Sequence, residues 1–300
     1  MAALTIAPDV ERALKSGKAI VALESAVITH GLPQPAAIEA VKRQWAACEK
    51  AGAHPAVVAV WDAMLQVGLS IDACTALAYN PNVVKVSPWN LAASIHDPGA
   101  GGTTVAATIV AATQVGIRIV STGGIGGVHP GDGGQDVSAD LTELSRRRVC
   151  VVCAGPKSTL DAQATLERLE TLGVPVIGWR SSLLAGFLST SAGLRLPIRA
   201  DTIEVLASMV SEHWALGGAG VVVSQPLPSD LALPRSELID DGELPVRGPE
   251  RTPAELRRLQ GRVGKRLIDA NIALLERNAG LAGSLAVELT RWTSAKPVGS

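Results

Sequence analysis

The sequence has no marked excess of charge of either sign. Its 300 residues include 27 Lys and Arg against 28 Asp and Glu, a formal net charge of −1. Such a balance provides no general attraction for nucleic acid or for an anionic membrane. The basic clusters at 146–148 and 257–266 fall on predicted helices, where they are interpreted as solvated faces. We therefore expect neither nucleic acid nor a membrane as a partner.

Long apolar runs are also missing. No run reaches the ~18–20 residues that a membrane span requires. The first residues, MAALTIAPDVERALKSGK, lack the continuous apolar core of a signal peptide. Together these absences predict a cytoplasmic location.

Cysteine is scarce, and its spacing argues against metal or redox chemistry. Cys150 and Cys153 form a C-x-x-C pattern, but it lies inside the apolar run Val149–Ala154. If that run is a strand, the odd spacing directs the two thiols to opposite faces, where they cannot share a metal ion. We interpret these two cysteines, like Cys48 and Cys74, as buried structural residues.

Short apolar runs alternate with helical periodicity, which predicts an α/β fold, a three-layer α/β/α arrangement around a mostly parallel or mixed sheet. The predicted strands are 19–23, 56–61, 83–86, 117–121, 149–153, 174–178 and 219–224. The predicted helices are 35–50, 70–78, 104–115, 139–147, 158–172 and 201–216. We expect one catalytic domain over residues 1–300, with a proline-rich excursion at 225–252 and a helical region at 253–293.

The run TGGIGGVHPGDGGQDVSADL, residues 122–141, directly follows a predicted strand and contains seven glycines. Such a run at the carboxyl end of a strand indicates close approach of a polar ligand or metal to the backbone. It matches neither of the common nucleotide-binding glycine motifs. Asp136 and Asp140 flank Ser138, the expected helix cap, and a hard divalent ion would explain both carboxylates. Helix capping is the alternative for either one alone.

Three further positions are candidates for chemistry. Ser158 and Asp161 resemble a capping box, so a helix is expected to begin at Ser158 with Lys157 just before it, where the helix dipole lowers a lysine pKa. A neutral amine could form an imine with a sugar aldehyde, although the pattern alone favours an exposed lysine near a helix start. Glu24 ends the first predicted strand, where a carboxylate suits proton donation, helix capping or an ion pair. The turn at 101–105 opens a helix and either offers backbone N–H groups to an anion or is capped by a threonine with no ligand.

The blocks ALESAVITHGLP, VVKVS, GGTTVAAT, TGGIGGVH, DVSADLTEL, VVCAGPKSTLD and GVPVIG occur in this order. Together they resemble the pseudouridine-5′-phosphate glycosidase (indigoidine synthase A-like) family over about residues 15–290. The resemblance implies an α/β/α enzyme that makes or breaks the C–C bond between uracil and ribose 5-phosphate. It further implies a divalent metal, typically Mn²⁺, a sugar phosphate and an aromatic base as ligands, and a homotrimer.

Residue roles also follow from this resemblance. Lys157 would form a covalent imine with the opened sugar, Glu24 would donate a proton, and Asp136 would bind the metal. Substrate-binding residues would be Lys85, Thr104, Val105, Ser138, Ala139, Asp140 and Asn271. An imine provides the electron sink that C–C cleavage requires, since a C-glycoside has no heteroatom leaving group to protonate.

The sequence departs from the family pattern beside these residues. VHPGDGG replaces the usual VHRGAE, and KVSPWN replaces KVSRRD, which removes two arginines and introduces Trp89. These changes favour a second hypothesis, a C-glycosynthase that joins ribose 5-phosphate to a larger, polyketide-like aromatic acceptor. A non-catalytic sugar-phosphate-binding protein is the third, and a sugar kinase lacks its expected motif. Pseudouridine 5′-phosphate cleavage to uracil and ribose 5-phosphate is the leading prediction.

Overall fold

A mostly parallel sheet forms the centre of the protein. A computed structural model describes residues 4–97, 99–131, 134–238 and 251–295 of the chain. The eleven strands within these ranges are β1 (Leu4–Ile6), β2 (Ile20–Leu23), β3 (His54–Trp61), β4 (Met64–Val67), β5 (Val84–Val86), β6 (Gly101–Thr103), β7 (Ile119–Ser121), β8 (Cys150–Cys153), β9 (Val176–Trp179), β10 (Ile198–Ala200) and β11 (Val221–Ser224). Their main order is β1-β4-β3-β2-β7-β8-β11-β9-β10. Strands β5 and β6 lie outside this order. Strand β6 pairs with β3, and β5 pairs with β6.

Helices cover both faces of the sheet. Within the described ranges they are α1 (Pro8–Lys15), α2 (Ala36–Lys50), α3 (Ile71–Tyr79), α4 (Leu91–His96), α5 (Val105–Gln114), α6 (Ala139–Arg146), α7 (Ala162–Thr171), α8 (Ile203–Ala215), α9 (Arg235–Leu238), α10 (Arg251–Val263) and α11 (Lys265–Ala295). A short π-helix spans Val27–Gly31.

Successive side chains of the central strands point alternately to the two faces of the sheet, and each face has its own apolar core. In β3, Val57 and Ala59 pack into the core with α2, α8 and α11. The intervening Val58 and Val60 pack into the core with α1, α5, α6 and α7. Successive side chains of a strand point to opposite faces, so a fully apolar strand buries both. The predicted three-layer α/β/α fold is confirmed.

All seven predicted strands are present, whereas β1, β4, β6 and β10 were not predicted. Strand β6 has the sequence GGT, which carries no apolar pattern. The opposite orientation of the two cysteines in β8 is confirmed, because Cys150 lies in one core and Cys153 in the other. Both are free thiols, and burial raises the pKa of Cys153 to about 12. A thiol with so high a pKa is unreactive near neutral pH.

The carboxyl-terminal region consists of α10 and the long α11, which together span 251–295 apart from residue 264. Residues 239–250 of the predicted excursion lie outside the described residues, and the single-domain prediction stays a prediction. None of the helices in the described part of the chain combines the length and the apolar character of a membrane span. The cytoplasmic location stays a prediction as well.

Small residues let α11 pack closely on α2. A Cβ atom added at Gly283 would lie 2.7 Å from the Ala51 Cβ, whereas one added at Gly280 would meet only the Ala47 Cβ at 3.9 Å. The first distance is too short for two carbon atoms that are not bonded to each other. The second is an ordinary van der Waals contact. Helix α11 therefore depends on glycine at one of these positions but not at the other.

We predict opposite effects for the same substitution at these two positions. Gly280→Ala should raise the free energy of unfolding by up to about 1 kcal/mol, because alanine has the higher helix propensity. Gly283→Ala should lower it by about 1–3 kcal/mol, because the extra methyl group overpacks the interface. Urea unfolding of both variants measures the difference, and equal stabilities would contradict this account of the α2–α11 contact.

Candidate active site

Three adjacent parallel strands bring the candidate catalytic residues to one edge of the sheet. Strand β7 pairs in parallel with both β2 and β8. Glu24 follows β2 directly, Thr122 follows β7 directly, and Lys157 lies four residues beyond β8. Because parallel strands end at the same edge, residues far apart in sequence meet there.

Glu24 is a buried carboxyl group with two hydrogen-bond donors. Its side chain accepts the Val27 backbone N–H at 3.0 Å and the Thr122 hydroxyl at 3.1 Å, and the residue is 7% exposed. Burial raises the pKa of Glu24, while the nearby Lys157 charge and the two hydrogen bonds oppose the rise. A carboxyl group with a raised pKa is suited to donating a proton near neutral pH.

The expected helix start at Ser158 is wrong, and with it the argument that a helix dipole acts on Lys157. Helix α7 begins at Ala162, and Asp161 is its cap, accepting the Ala164 N–H at 2.9 Å. The preceding segment instead pairs with the glycine-rich loop. The Lys157 N–H donates to the Ile125 carbonyl at 3.1 Å, and the Asp161 N–H donates to the Val128 carbonyl at 2.9 Å. These bonds hold Lys157 on a loop against the glycine run.

Two neighbouring cavities share the side chains of Glu24, Lys85 and Lys157. The larger, of about 250 Å³, is also lined by Thr104, Val105, Asp136, Ser138, Ala139 and Asp140. The smaller, of about 50 Å³, is also lined by Asn271 and Phe187. All ten residues singled out in the sequence thus line one continuous region, although their individual roles stay predictions.

Lys85 reaches this region through the side strands. It is the central residue of β5, which pairs with β6, and β6 pairs with β3. Sequence reasoning predicted β5 but not the β6 strand that attaches it to the sheet.

Asp140 connects the parts of the larger cavity. One carboxylate oxygen accepts the Ala106 N–H at 2.8 Å, and the other accepts the Gly126 N–H at 2.7 Å. Asp140 is 4% exposed, so it is a buried acceptor for two backbone donors on separate segments. Both oxygens are engaged, and this does not support the idea that Asp136 and Asp140 together hold an ion.

Helices α5 and α6 both begin at the larger cavity. Thr104 caps α5 by accepting the Ala107 N–H at 3.3 Å, and Ser138 caps α6 by accepting the Asp140 N–H at 3.2 Å. Their first helical residues, Val105 and Ala139, also line the cavity. Two helix amino termini directed at one space create a partial positive charge that favours an anion.

Asp136 contributes a carboxylate to the same cavity. Its backbone carbonyl accepts the His129 N–H at 2.9 Å, so residues 129 and 136 lie beside each other. In the described ranges, no group of three or more His, Cys, Asp and Glu side chains could hold a metal ion. A multidentate protein cage is therefore not formed by these residues.

Asn271 is a buried polar residue that lines the smaller cavity. It lies on α11, is 3% exposed, and its side-chain oxygen accepts no hydrogen bond from the described residues. Buried polar atoms normally have partners, so this partnerless oxygen makes Asn271 a candidate contact for a ligand in the adjoining cavity.

Sequence reasoning missed two residues around the site. Thr122 donates to Glu24, and Asn278 of α11 in turn donates to the Thr122 carbonyl at 2.8 Å. Trp89, which the sequence had marked as a departure from the family pattern, is 75% exposed and lines the larger cavity. The position of Thr122 immediately after a buried strand was a usable signal, but Asn278 lies 156 residues away, and nothing local connects it with the site.

Comparison with known proteins assigns the chain to a family. The family model described as "Indigoidine synthase A like protein" matches residues 9–288. The chain belongs to this family. Among its relatives, proteins named pseudouridine-5′-phosphate glycosidase from Methylobacterium nodulans and Gemmatimonas aurantiaca are 42% and 44% identical to it. These matches cover 98% and 94% of this chain, and 90% and 94% of the respective relatives.

Two solved structures of the family have the same fold. An indigoidine synthase A-like protein from Thermotoga maritima superposes with a TM-score of 0.86 at 36% identity, covering 92% of this chain and 94% of that one. The prealnumycin C-glycosynthase AlnA, solved with ribulose 5-phosphate, superposes with a TM-score of 0.88 at 30% identity. That match covers 98% of this chain and 99% of AlnA. The proteins to which this chain is similar are thus named for both breaking and making C-glycosides.

The Thr122 hydroxyl should tune the ionisation of Glu24. A hydrogen bond donated to the carboxylate favours its charged form, so Thr122→Val should raise the Glu24 pKa further above its ordinary value. Thr122→Ser retains the donor and should leave that pKa close to the wild-type one. NMR titration of the Glu24 carboxyl carbon measures both variants, and an equal pKa in the two would show that this bond has no influence.

Proposed function

We propose that the protein hydrolyses pseudouridine 5′-phosphate to uracil and ribose 5-phosphate, with Lys157 as the nucleophile. The observation that carries the proposal is the shared wall of the two cavities, where Glu24, Lys85 and Lys157 all lie. A bond between a sugar phosphate in one cavity and a base in the other would pass these residues. Identity above 40% to two relatives named for this activity supports the same conclusion.

The larger cavity is the proposed binding site for the sugar phosphate. It combines the amino termini of α5 and α6 with the cationic side chain of Lys85, whereas Lys157, the proposed nucleophile, reacts as the neutral amine. A phosphate dianion is stabilised by backbone N–H groups and by nearby cations. Asp140 would act there by fixing the segments that supply these groups.

Lys157 and Glu24 would divide the chemistry between them. In the direction of bond formation, the Lys157 Nζ attacks the C1′ aldehyde carbon of open-chain ribose 5-phosphate, and water leaves to give an imine. The uracil C5 then attacks the imine carbon and loses its proton, and the sugar 4′-oxygen bonds to C1′ as the C1′–Nζ bond breaks, which closes the ring and frees the lysine. Cleavage is the reverse of these steps. Glu24 would transfer the required protons, since its raised pKa keeps a proton available.

The donor set fits a hydrated divalent cation held through Asp136. One carboxylate with water and phosphate oxygens suits Mg²⁺ or Mn²⁺, which bind through few protein ligands, better than Zn²⁺, which takes three or four. A cation bound there would neutralise phosphate charge and order polar groups around the substrate. The homotrimer implied by the family resemblance stays a prediction.

The base is proposed to lie at the mouth of the smaller cavity, on the side of Asn271, since at about 50 Å³ the cavity itself is smaller than a uracil ring. Trp89 favours a second candidate function, synthesis of a C-riboside on a larger aromatic acceptor. The similarity to AlnA supports this candidate, but its 30% identity is lower than that of the glycosidases. Hydrolysis is therefore the preferred assignment.

Release of uracil from pseudouridine 5′-phosphate in the presence of Mn²⁺ tests the reaction, and borohydride trapping tests its mechanism. Wild-type protein incubated with ribose 5-phosphate and borohydride should gain a stable adduct on the peptide that contains Lys157. Lys157→Arg keeps the charge but cannot form an imine, so it should lose both the adduct and at least about a thousandfold of the uracil release. Mass spectrometry locates the adduct.

Several results would contradict this proposal. An active protein without an adduct would exclude the imine, and an unimpaired Lys157→Arg variant would exclude Lys157 as the nucleophile. An adduct on Lys157 without uracil release would instead favour the synthase. Lys15→Arg is the matched control, since Lys15 is an exposed residue that pairs with Glu11 and lines neither cavity.

Metal binding is predicted to depend on Asp136. Asp136→Asn removes the anionic ligand and should weaken Mn²⁺ binding about tenfold or more, measured by isothermal titration calorimetry without substrate. Asp201→Asn changes an exposed aspartate that pairs with Arg199 and lines neither cavity, so it should bind Mn²⁺ as wild type does. Unchanged Mn²⁺ affinity in Asp136→Asn would exclude this residue as the ligand.

A further inference from the structure

A third cavity lies at the opposite edge of the sheet from the candidate active site. It has a volume of about 470 Å³ and is lined by residues that precede β2, β7 and β8, together with parts of α8 and α11. These are the same three strands whose carboxyl ends carry Glu24, Thr122 and Lys157. Cavities of this volume are within the range that binds small organic molecules.

Three cations surround this cavity. Lys18 stands two residues before β2, Arg118 one residue before β7, and Arg148 two residues before β8. Neighbouring strands lie ~4.8 Å apart, so the backbones of the three residues are within about 10–12 Å of one another. Each of these side chains is exposed at the rim.

No carboxylate balances these cations within the described part of the chain. The lining includes neither Asp nor Glu, and the described ion pairs do not involve Lys18, Arg118 or Arg148. The whole chain has 28 acidic and 27 basic residues, so composition alone does not explain this segregation. Like charges held together in this way repel one another unless an anion binds between them.

The floor of the cavity is apolar and holds one of the cations in position. Ile117 and Ala286 are 2% and 4% exposed, and Trp214 is 7% exposed. The Arg118 guanidinium lies 5.7 Å from the centre of the Trp214 ring, while the indole N–H donates to the Ala219 carbonyl at 2.8 Å. A cation at this distance over an indole is attracted to the ring, which orients the guanidinium beside the floor.

We propose that this cavity is a second binding site, for an organic phosphate of the nucleoside diphosphate class. Two phosphates match three cations, and two guanidinium groups can bind phosphate oxygens in a bidentate manner. The apolar floor suits the uncharged part of such a molecule. The site uses none of the residues that line the two catalytic cavities and does not depend on the proposed reaction.

Calorimetric titration with ADP at low salt tests the proposal. Wild-type protein should bind ADP more tightly than it binds pyrophosphate or adenosine, because only ADP carries both the phosphates and the apolar part. The double variant Arg118→Gln, Arg148→Gln should lose about tenfold or more in ADP affinity, since it lacks two charged donors. Arg146→Gln removes an equal, exposed charge that does not line the cavity and should bind as wild type does.

Three binding results would contradict the proposed site. They are absence of ADP binding to the wild-type protein, equal ADP binding by the double variant, and binding of adenosine as tight as that of ADP. Light scattering can give a fourth contradicting result: if the double variant changes its oligomeric state, the cations belong to a contact between copies of the chain. If the double variant fails to fold, the titration is repeated with each single variant. The double variant should still release uracil, so loss of ADP binding is distinguishable from failure of the proposed reaction.

Discussion

A single buried carboxylate, that of Asp140, organises the candidate active site. By accepting backbone N–H groups from Ala106 and Gly126, it connects the first turn of α5 to the glycine-rich loop, while its own N–H bonds to the Ser138 cap of α6. Bonds to an ionised acceptor are among the stronger hydrogen bonds in proteins, and a buried one is costly to leave unmade. The larger cavity exists because these three segments are held together.

The glycines of the loop serve this arrangement by permitting close approach. A Cβ atom at Gly126 would overlap the Ser138 side chain and lie 3.0 Å from an Asp140 carboxylate oxygen. Any larger residue would separate the loop from α6. Glu24 depends on a comparable chain of contacts, since Thr122 donates to it and Asn278 of α11 donates to Thr122. A carboxyl-terminal helix is thereby coupled to a carboxylate near the start of the chain.

Secondary structure could be predicted from the sequence where neighbouring residues determine it, and not where distant residues do. The apolar runs that form the central parallel strands were predicted, because burial on both faces leaves a continuous pattern. Strand β6 was missed, because its glycine-rich sequence is a strand only through pairing with β3 and β5. The start of α7 was misplaced, because pairing with the glycine loop at Ile125 and Val128 outweighs a local capping box at Ser158. Tertiary hydrogen bonds decided both cases.

The sequence by itself determined the layered α/β fold, the burial of the cysteines, the family and the set of residues that line the site. Only the tertiary structure showed that both Asp140 carboxylate oxygens accept backbone N–H groups, and that Lys157 stands on a loop beside Glu24. It alone also brought Lys18, Arg118 and Arg148 around one cavity. The physical reason is that strand order and long-range hydrogen bonds create these contacts, and neither leaves a periodic pattern in the chain.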